Sequence, residues 1–138
     1  MERFTVLDIS GDVGLTAFGG SLQEAFVNAA IGMYTLMTGL DAVAAAKTID
    51  VSIENQSSDG LLVSWLNELI FHFDAYGFVG KKIDIKEFSG KRISARIAGE
   101  EFDPVRHEGR LLIKAATYHQ LRIEKKEGRW EISVIFDI

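Results

Sequence analysis

The sequence has no cysteine. That excludes a disulfide framework, a thiolate-bound zinc and a cysteine nucleophile. It fits a chain kept in a reducing cytosol. Long apolar runs are missing as well. None approaches the roughly 20 residues that a membrane-spanning helix needs. The opening Met1-Glu2-Arg3-Phe4-Thr5-Val6 has no apolar signal region. The expectation is a soluble, cytoplasmic protein with no membrane contact. Positive charge is also scarce. The net charge is −5, and the basic residues are scattered apart from short pairs such as Lys81-Lys82 and Lys125-Lys126. Tight binding of a phosphate backbone calls for a basic patch, so an autonomous RNA binder is not expected. If the protein serves RNA metabolism, it works through another protein. Familiar catalytic signatures are absent too: there is no P-loop, Gly-x-Gly-x-x-Gly, His-x-x-x-His or Gly-x-Ser-x-Gly. His72, His107 and His119 are widely spaced and lack metal-ligand spacing.

What is present reads as one globular domain over residues 1–138. The chain is 47% hydrophobic and 25% charged, and this length can bury roughly two-thirds of its unfolded surface. No metal is needed to hold it together, so a metal site would need a functional or local explanation. No linker or low-complexity run divides it.

Periodicity gives the elements. Phe4 to Leu7 and Leu15 to Phe18 are β-prone, with a turn signal at Gly11-Asp12-Val13-Gly14 between them. Ser21-Leu22-Gln23-Glu24 is a capping box. Leu22, Ala25, Phe26, Ala29, Ala30, Met33, Leu36 and Met37 follow at three- and four-residue steps, which predicts a helix with one buried face. Gly39 is a plausible stop. Residues 47–54 alternate as a half-buried strand. A second helix carries Leu61, Leu62, Trp65, Leu66, Leu69, Ile70 and Phe73, with Gly77 as its terminator. Strands are expected over 79–88, 93–97, 111–113, 118–124 and 130–136. Hairpin turns at Ser89-Gly90-Lys91 and around Glu127-Gly128 join two pairs of them. The segment 99–110 is the long irregular stretch, and it holds the single proline, Pro104. The order predicts an α+β fold, with two helices packed on one face of a largely antiparallel β-sheet.

Four constellations carry polar chemistry. Asp8 and Asp12 flank the first turn, and Asp137 precedes the carboxylate of Ile138. If the first and last strands lie together, several carboxylates converge, and a hard divalent cation such as calcium or magnesium relieves their repulsion. The ordinary reading is a turn-capping Asp12 and a solvated Asp137. Lys114-Ala115-Ala116-Thr117-Tyr118-His119 alternates faces in a strand. Lys114, Ala116 and Tyr118 would point one way, and Ala115, Thr117 and His119 the other. Lysine, tyrosine and histidine can hold phosphate or move protons. The ordinary reading is sheet packing with polar tips in water. Gly99 to His107, with Glu100 and Arg106, reads as a partner surface or a solvated loop. On the second helix, Asn67 and Glu68 reach either a site or, more ordinarily, solvent.

Taken together and in this order, these segments resemble the archease family over nearly the whole chain. Leu7-Asp8-Ile9-Ser10-Gly11-Asp12-Val13-Gly14 resembles the family's His-Thr-Ala-Asp-x-Gly turn. Ala25 to Met33, Leu61 to Leu69 and Gly99-Glu100 follow. The combination of Lys114-Ala115-Ala116-Thr117-Tyr118-His119 with a closing Asp137-Ile138 is the most specific part. Ile9 stands where the family has histidine, and Ser10-Gly11 stand for Thr-Ala, so this turn lacks the family's imidazole.

The resemblance implies an accessory protein rather than an enzyme. Its partner would be the GTP- and manganese-dependent RNA ligase of tRNA splicing and RNA repair. That ligase joins 2′,3′-cyclic phosphate or 3′-phosphate ends to 5′-hydroxyl ends, and the accessory protein promotes its guanylylation and multiple turnover. The resemblance also implies a divalent metal, often calcium, on Asp12, Asp137 and the terminal carboxylate of Ile138. Glu100, Arg106, Lys114 and His119 become candidates for contact with ligase or nucleotide. Two rival readings stand beside it. One is a general chaperone or protein-interaction module that has no need of Asp12. The other is a stand-alone metal-dependent hydrolase using Asp8, Asp12, Asp137 and His119.

Overall fold

Local chemistry sets both helix ends as the sequence suggests. The Ser21 hydroxyl accepts the Glu24 N–H at 3.1 Å, and the Ser57 hydroxyl accepts the Gly60 N–H at 3.0 Å. Gly77 ends the second helix in the left-handed region, at φ 70°, where a residue without Cβ is unstrained.

A computed structural model describes residues 2–138. The elements are β1 (Phe4–Ile9), β2 (Asp12–Gly19), α1 (Leu22–Met37), a 3₁₀ turn (Leu40–Ala42), β3 (Lys47–Glu54), α2 (Ser58–Tyr76), β4 (Phe78–Ser89), β5 (Arg92–Glu101), β6 (Ala115–Lys126) and β7 (Arg129–Asp137). Every strand pairing is antiparallel. The fold is α+β with two helices packed on antiparallel sheet, as expected. The strands divide into two sheets, of order β1-β2-β7-β6 and β3-β5-β4.

Both helices touch both sheets, and this explains why α1 is buried beyond one face. A Cβ on Gly32 would meet Leu15 and Phe4 of the first sheet. Tyr34 lies over Gly80 of the second. Asn28, Ile31, Gly32 and Tyr34 are therefore buried in addition to the apolar stripe. On α2 the stripe predicts the core well: Leu61, Leu62, Trp65, Leu66 and Leu69 are fully enclosed, and the Trp65 indole N–H donates to the Phe26 carbonyl at 3.1 Å. One connected core runs from Val13 to Phe136.

Two expectations fail at the end of α1. Residues 111–113 form no strand. The N–H groups of Arg110 and Leu111 instead donate to the carbonyls of Met37 and Leu36, each at 3.0 Å. The carbonyls of a helix's last turn lack partners within the helix, and this extended segment supplies them. For the same reason α1 needs no left-handed glycine. It ends on an extended Thr38, and Gly39 lies outside it.

Candidate functional site

The β1–β2 hairpin turns through Ser10-Gly11, with Gly11 at φ 80°, and pairs Ile9 with Asp12. On its other side β2 pairs with β7, with Val13 opposite Phe136. Val13 and Phe136 are both buried. One further step sets Asp12 level with Asp137. Alternation turns both away from the core, onto the outer face of the sheet. Asp137 is in turn level with Ala115, and its carbonyl accepts the Lys114 N–H at 2.8 Å. Three separate parts of the sequence thus meet at one tip: Asp12, Asp137-Ile138 and Lys114.

Asp12 is half-buried, while Asp137, Ile138 and Lys114 are exposed. Asp8 pairs with Val13, so its position alternates to the face opposite Asp12 and it does not join the pair. Ile9, in the place of the family histidine, is half-buried beside Asp12.

The donor set at the tip suits a hard cation but is sparse. Among the described residues no group of three His, Cys, Asp or Glu side chains is arranged to hold a metal ion. The tip offers two aspartates, Asp12 and Asp137. Calcium takes six to eight oxygens, so carbonyls and water would complete the shell.

A residue of α2 holds the tip in place. The Asn67 carbonyl oxygen accepts the Ala116 N–H at 2.8 Å, and its amide donates to the Ala116 carbonyl at 3.3 Å. The sequence leaves Asn67 between a site and, more ordinarily, solvent; in the fold it faces β6. It is a two-point clasp between α2 and the start of β6. The clue available in the sequence was its neighbourhood of core positions, since Asn67 follows Trp65 and Leu66 directly.

Past Ala116 the strand departs from simple alternation. Thr117 pairs with Ile135, but the next partner of β7 is Arg122, opposite Ser133. The intervening residues bulge, with Gln120 at φ 52°. Tyr118 and His119 are both exposed, so the expected division of Lys114, Ala116 and Tyr118 from His119 does not hold. The Thr117 hydroxyl donates to the Ile135 carbonyl at 2.8 Å and accepts the His119 N–H at 3.3 Å.

The loop after β5 has a different character. The Glu100 carboxylate receives the Arg106 guanidinium at 2.6 Å, the Ala44 N–H at 2.6 Å and the His107 Nε2 at 3.0 Å. Arg106, then the Ala44 N–H, hold its carboxyl down at a pKa of about 2. The His107 ring is fully enclosed, and its Nδ1 accepts the Asp103 N–H at 2.8 Å. Nδ1 therefore carries no proton, and Nε2–H donates to Glu100. The Val105 N–H and Arg106 hold Asp103 below the usual carboxylate range. Glu100 is thus committed to internal bonds, while Arg106 keeps about half of its side chain exposed.

Comparison with known proteins agrees with this architecture. The profile of the Archease protein family (MTH1598/TM1083) matches residues 4–138. Protein archease of Sulfurisphaera tokodaii is 32% identical over 142 residues, covering 100% of both chains. That of Aeropyrum pernix is 37% identical over 133 residues, covering 94% of this chain and 92% of the relative. The solution structure of Methanobacterium thermoautotrophicum protein 1598 superposes with a TM-score of 0.79 at 33% identity, over 100% of each chain. The crystal structure of a Thermotoga maritima archease, described as a possible chaperone, shares the fold with a TM-score of 0.67 at 18% identity, over 96% of this chain and 94% of that one.

Proposed function

We propose, from the chain's membership of the archease family, that it is an activator of the GTP- and manganese-dependent RNA ligase of tRNA splicing and RNA repair. The reading is that it promotes ligase guanylylation and multiple turnover through a carboxylate metal site at its tip. The observation that carries the site is the strand register: Val13 opposite Phe136 sets Asp12 beside Asp137, next to the chain end.

Asp12, Asp137 and the Ile138 carboxylate would hold a divalent cation, calcium foremost. The cation would neutralise the tip and let it approach an anionic, metal-dependent ligase centre. This chain's own residues do the positioning. Asn67 fixes Ala116, and the Lys114 N–H fixes the Asp137 carbonyl, so helix α2 holds the end of β7 through the first residues of β6. The Lys114 side chain lies exposed at the same tip, placed to meet a phosphate or a carboxylate of the partner. Arg106, half-exposed on its anchored loop, is a second cationic contact. His119 on the bulge is a third candidate. Glu100 contributes through Arg106, whose guanidinium it orients.

The test is guanylylation of a cognate ligase with GTP and manganese. Substoichiometric wild-type protein should stimulate it, and Asp12→Ala should not. Equal stimulation by both would refute the metal-tip mechanism.

A second reading has its own observation. Phe71 and Tyr76 on α2 are 52% and 64% exposed and lie edge-on, with centroids 6.2 Å apart. An exposed aromatic pair is a natural client contact for a general chaperone. Suppression of aggregation of unrelated proteins, undiminished in Asp12→Ala and lost in Phe71→Ser, would favour it.

A further inference from the structure

At the far end of β2 from the tip, roughly 20 Å away by strand rise, α1, β4 and the start of the chain enclose a cleft of about 470 Å³. That volume lies in the range of small-molecule sites. Its walls differ in charge. The α1 wall presents the Glu24 carboxylate and the Asn28 side chain one turn later. Asn28 is 6% exposed, and its amide donates to the Phe18 carbonyl at 2.7 Å. That bond orients the amide and leaves its carbonyl oxygen with no hydrogen-bond partner among the described residues. The β4 wall presents Lys81 and Lys82, and the start of the chain adds Arg3 with the acidic Glu2 beside it, so three cations face two carboxylates across the cleft.

Two neighbouring lysines reach one cleft because β4 is irregular there. Gly80 pairs with Gly99 and Lys82 with Ala98, so Lys81 is an extra residue. In a regular strand consecutive side chains take opposite faces; a bulge re-aims one of them, and both lysines are exposed. None of Arg3, Glu24, Lys81 and Lys82 forms an ion pair with a described residue, although Lys86, two residues past the paired Asp84, does.

We propose that this cleft binds a small zwitterion, one ammonium and one anionic group on a short carbon frame. The Glu24 carboxylate and the Asn28 carbonyl accept from the ammonium, and Lys81, Lys82 and Arg3 take the anion. Val27 and Ile31, on the same face of α1, receive an aliphatic side chain. The mixed walls argue against a polyanion such as an RNA strand, which Glu24 would repel. An aliphatic α-amino acid has all three features. A phosphoamine shares the two charges without the apolar part.

The experiment is an amide NMR titration of the full chain with L-leucine, against isovalerate and isoamylamine, which each carry one of its charges. O-Phosphoethanolamine serves as a further arm. Leucine should give saturable shifts at residues 24–31 and 81–83. Each single-charge analogue should bind about tenfold more weakly or worse, the scale of one lost charge-assisted bond. The exposed pair Lys81→Glu/Lys82→Glu should abolish the shifts while the rest of the spectrum stays folded, and Glu24→Gln should weaken them. Tighter binding of O-phosphoethanolamine than of leucine would keep the zwitterion and assign its anion as phosphate. Failure of both zwitterions to saturate, equal shifts from all three leucine-series probes, or binding retained by the double lysine variant would overturn the proposal.

Discussion

The tip and the loop after β5 both gather acidic and basic residues, yet they use them in opposite ways. In the loop the Glu100 carboxylate is consumed by Arg106, His107 and the Ala44 N–H. At the tip the Asp12 and Asp137 carboxylates make no hydrogen bond or ion pair with any described residue. Only the backbone there is tied down, through the Lys114 N–H on the Asp137 carbonyl. Carboxylates saturated by internal donors stabilise a fold and are lost to binding. Carboxylates held close with nothing to neutralise them are costly unless something external arrives. The first region therefore builds a rigid loop, and in the function proposed above the second keeps its charge for a cation.

Several substitutions sharpen or break that contrast. The largest functional effect belongs to the tip. Asp12→Ala or Asp137→Ala should reduce ligase guanylylation to the level of ligase alone, while urea unfolding moves by no more than about 0.5 kcal/mol. The largest stability effect belongs to the loop. His107→Ala leaves the Asp103 N–H and a Glu100 lone pair without partners and opens a cavity, at a cost of about 2–4 kcal/mol in urea. Ligase stimulation by its folded fraction should persist. Asn67→Ala links the two regions, since it frees the start of β6 from α2. We expect a loss of about 1–2 kcal/mol, faster hydrogen exchange at Ala116 and partial loss of stimulation.

A smaller effect shows in acid. A carboxyl depressed in the folded state stabilises the fold above its unfolded value, and the contribution disappears as pH falls through the folded value. For Glu100 that window runs from the ordinary 4.5 down to about 2. Arg106→Ala removes the main cause of the depression, so acid unfolding followed by circular dichroism should begin at a higher pH than in wild type. Smallest of all is Asp8→Asn. On the face opposite Asp12, it should change stimulation little and stability by less than about 0.5 kcal/mol.

The contrast was half legible in the sequence. Local signals were strong where one rule acts alone. Residues 47–54 read as a strand and are one. Ser21, Ser57 and Gly77 cap as their chemistry requires. The α2 stripe names the core because a single period governs it. Reading failed where distant segments meet. Leu111-Leu112-Ile113 looks like a strand, but the open carbonyls of α1 capture its neighbouring amides. Asn67 looks solvent-facing until β6 is placed beside it. Tyr118 and His119 look like alternate strand positions, and nothing local announces a bulge. Glu100, Arg106 and His107 were visible as residues, but their mutual saturation needs the folded loop. For the tip, the resemblance drew Asp12 and Asp137 together, and the β2–β7 register supplies the geometry for it.

The most direct measurement is calcium titration by calorimetry of the metal-stripped protein, alongside Asp12→Ala and a chain lengthened by one glycine after Ile138. The extension changes no side chain and only moves the terminal carboxylate. Our account predicts one saturable site in the wild type, lost in Asp12→Ala and weakened about tenfold or more by the extension. Calcium binding of equal strength in all three proteins would contradict it.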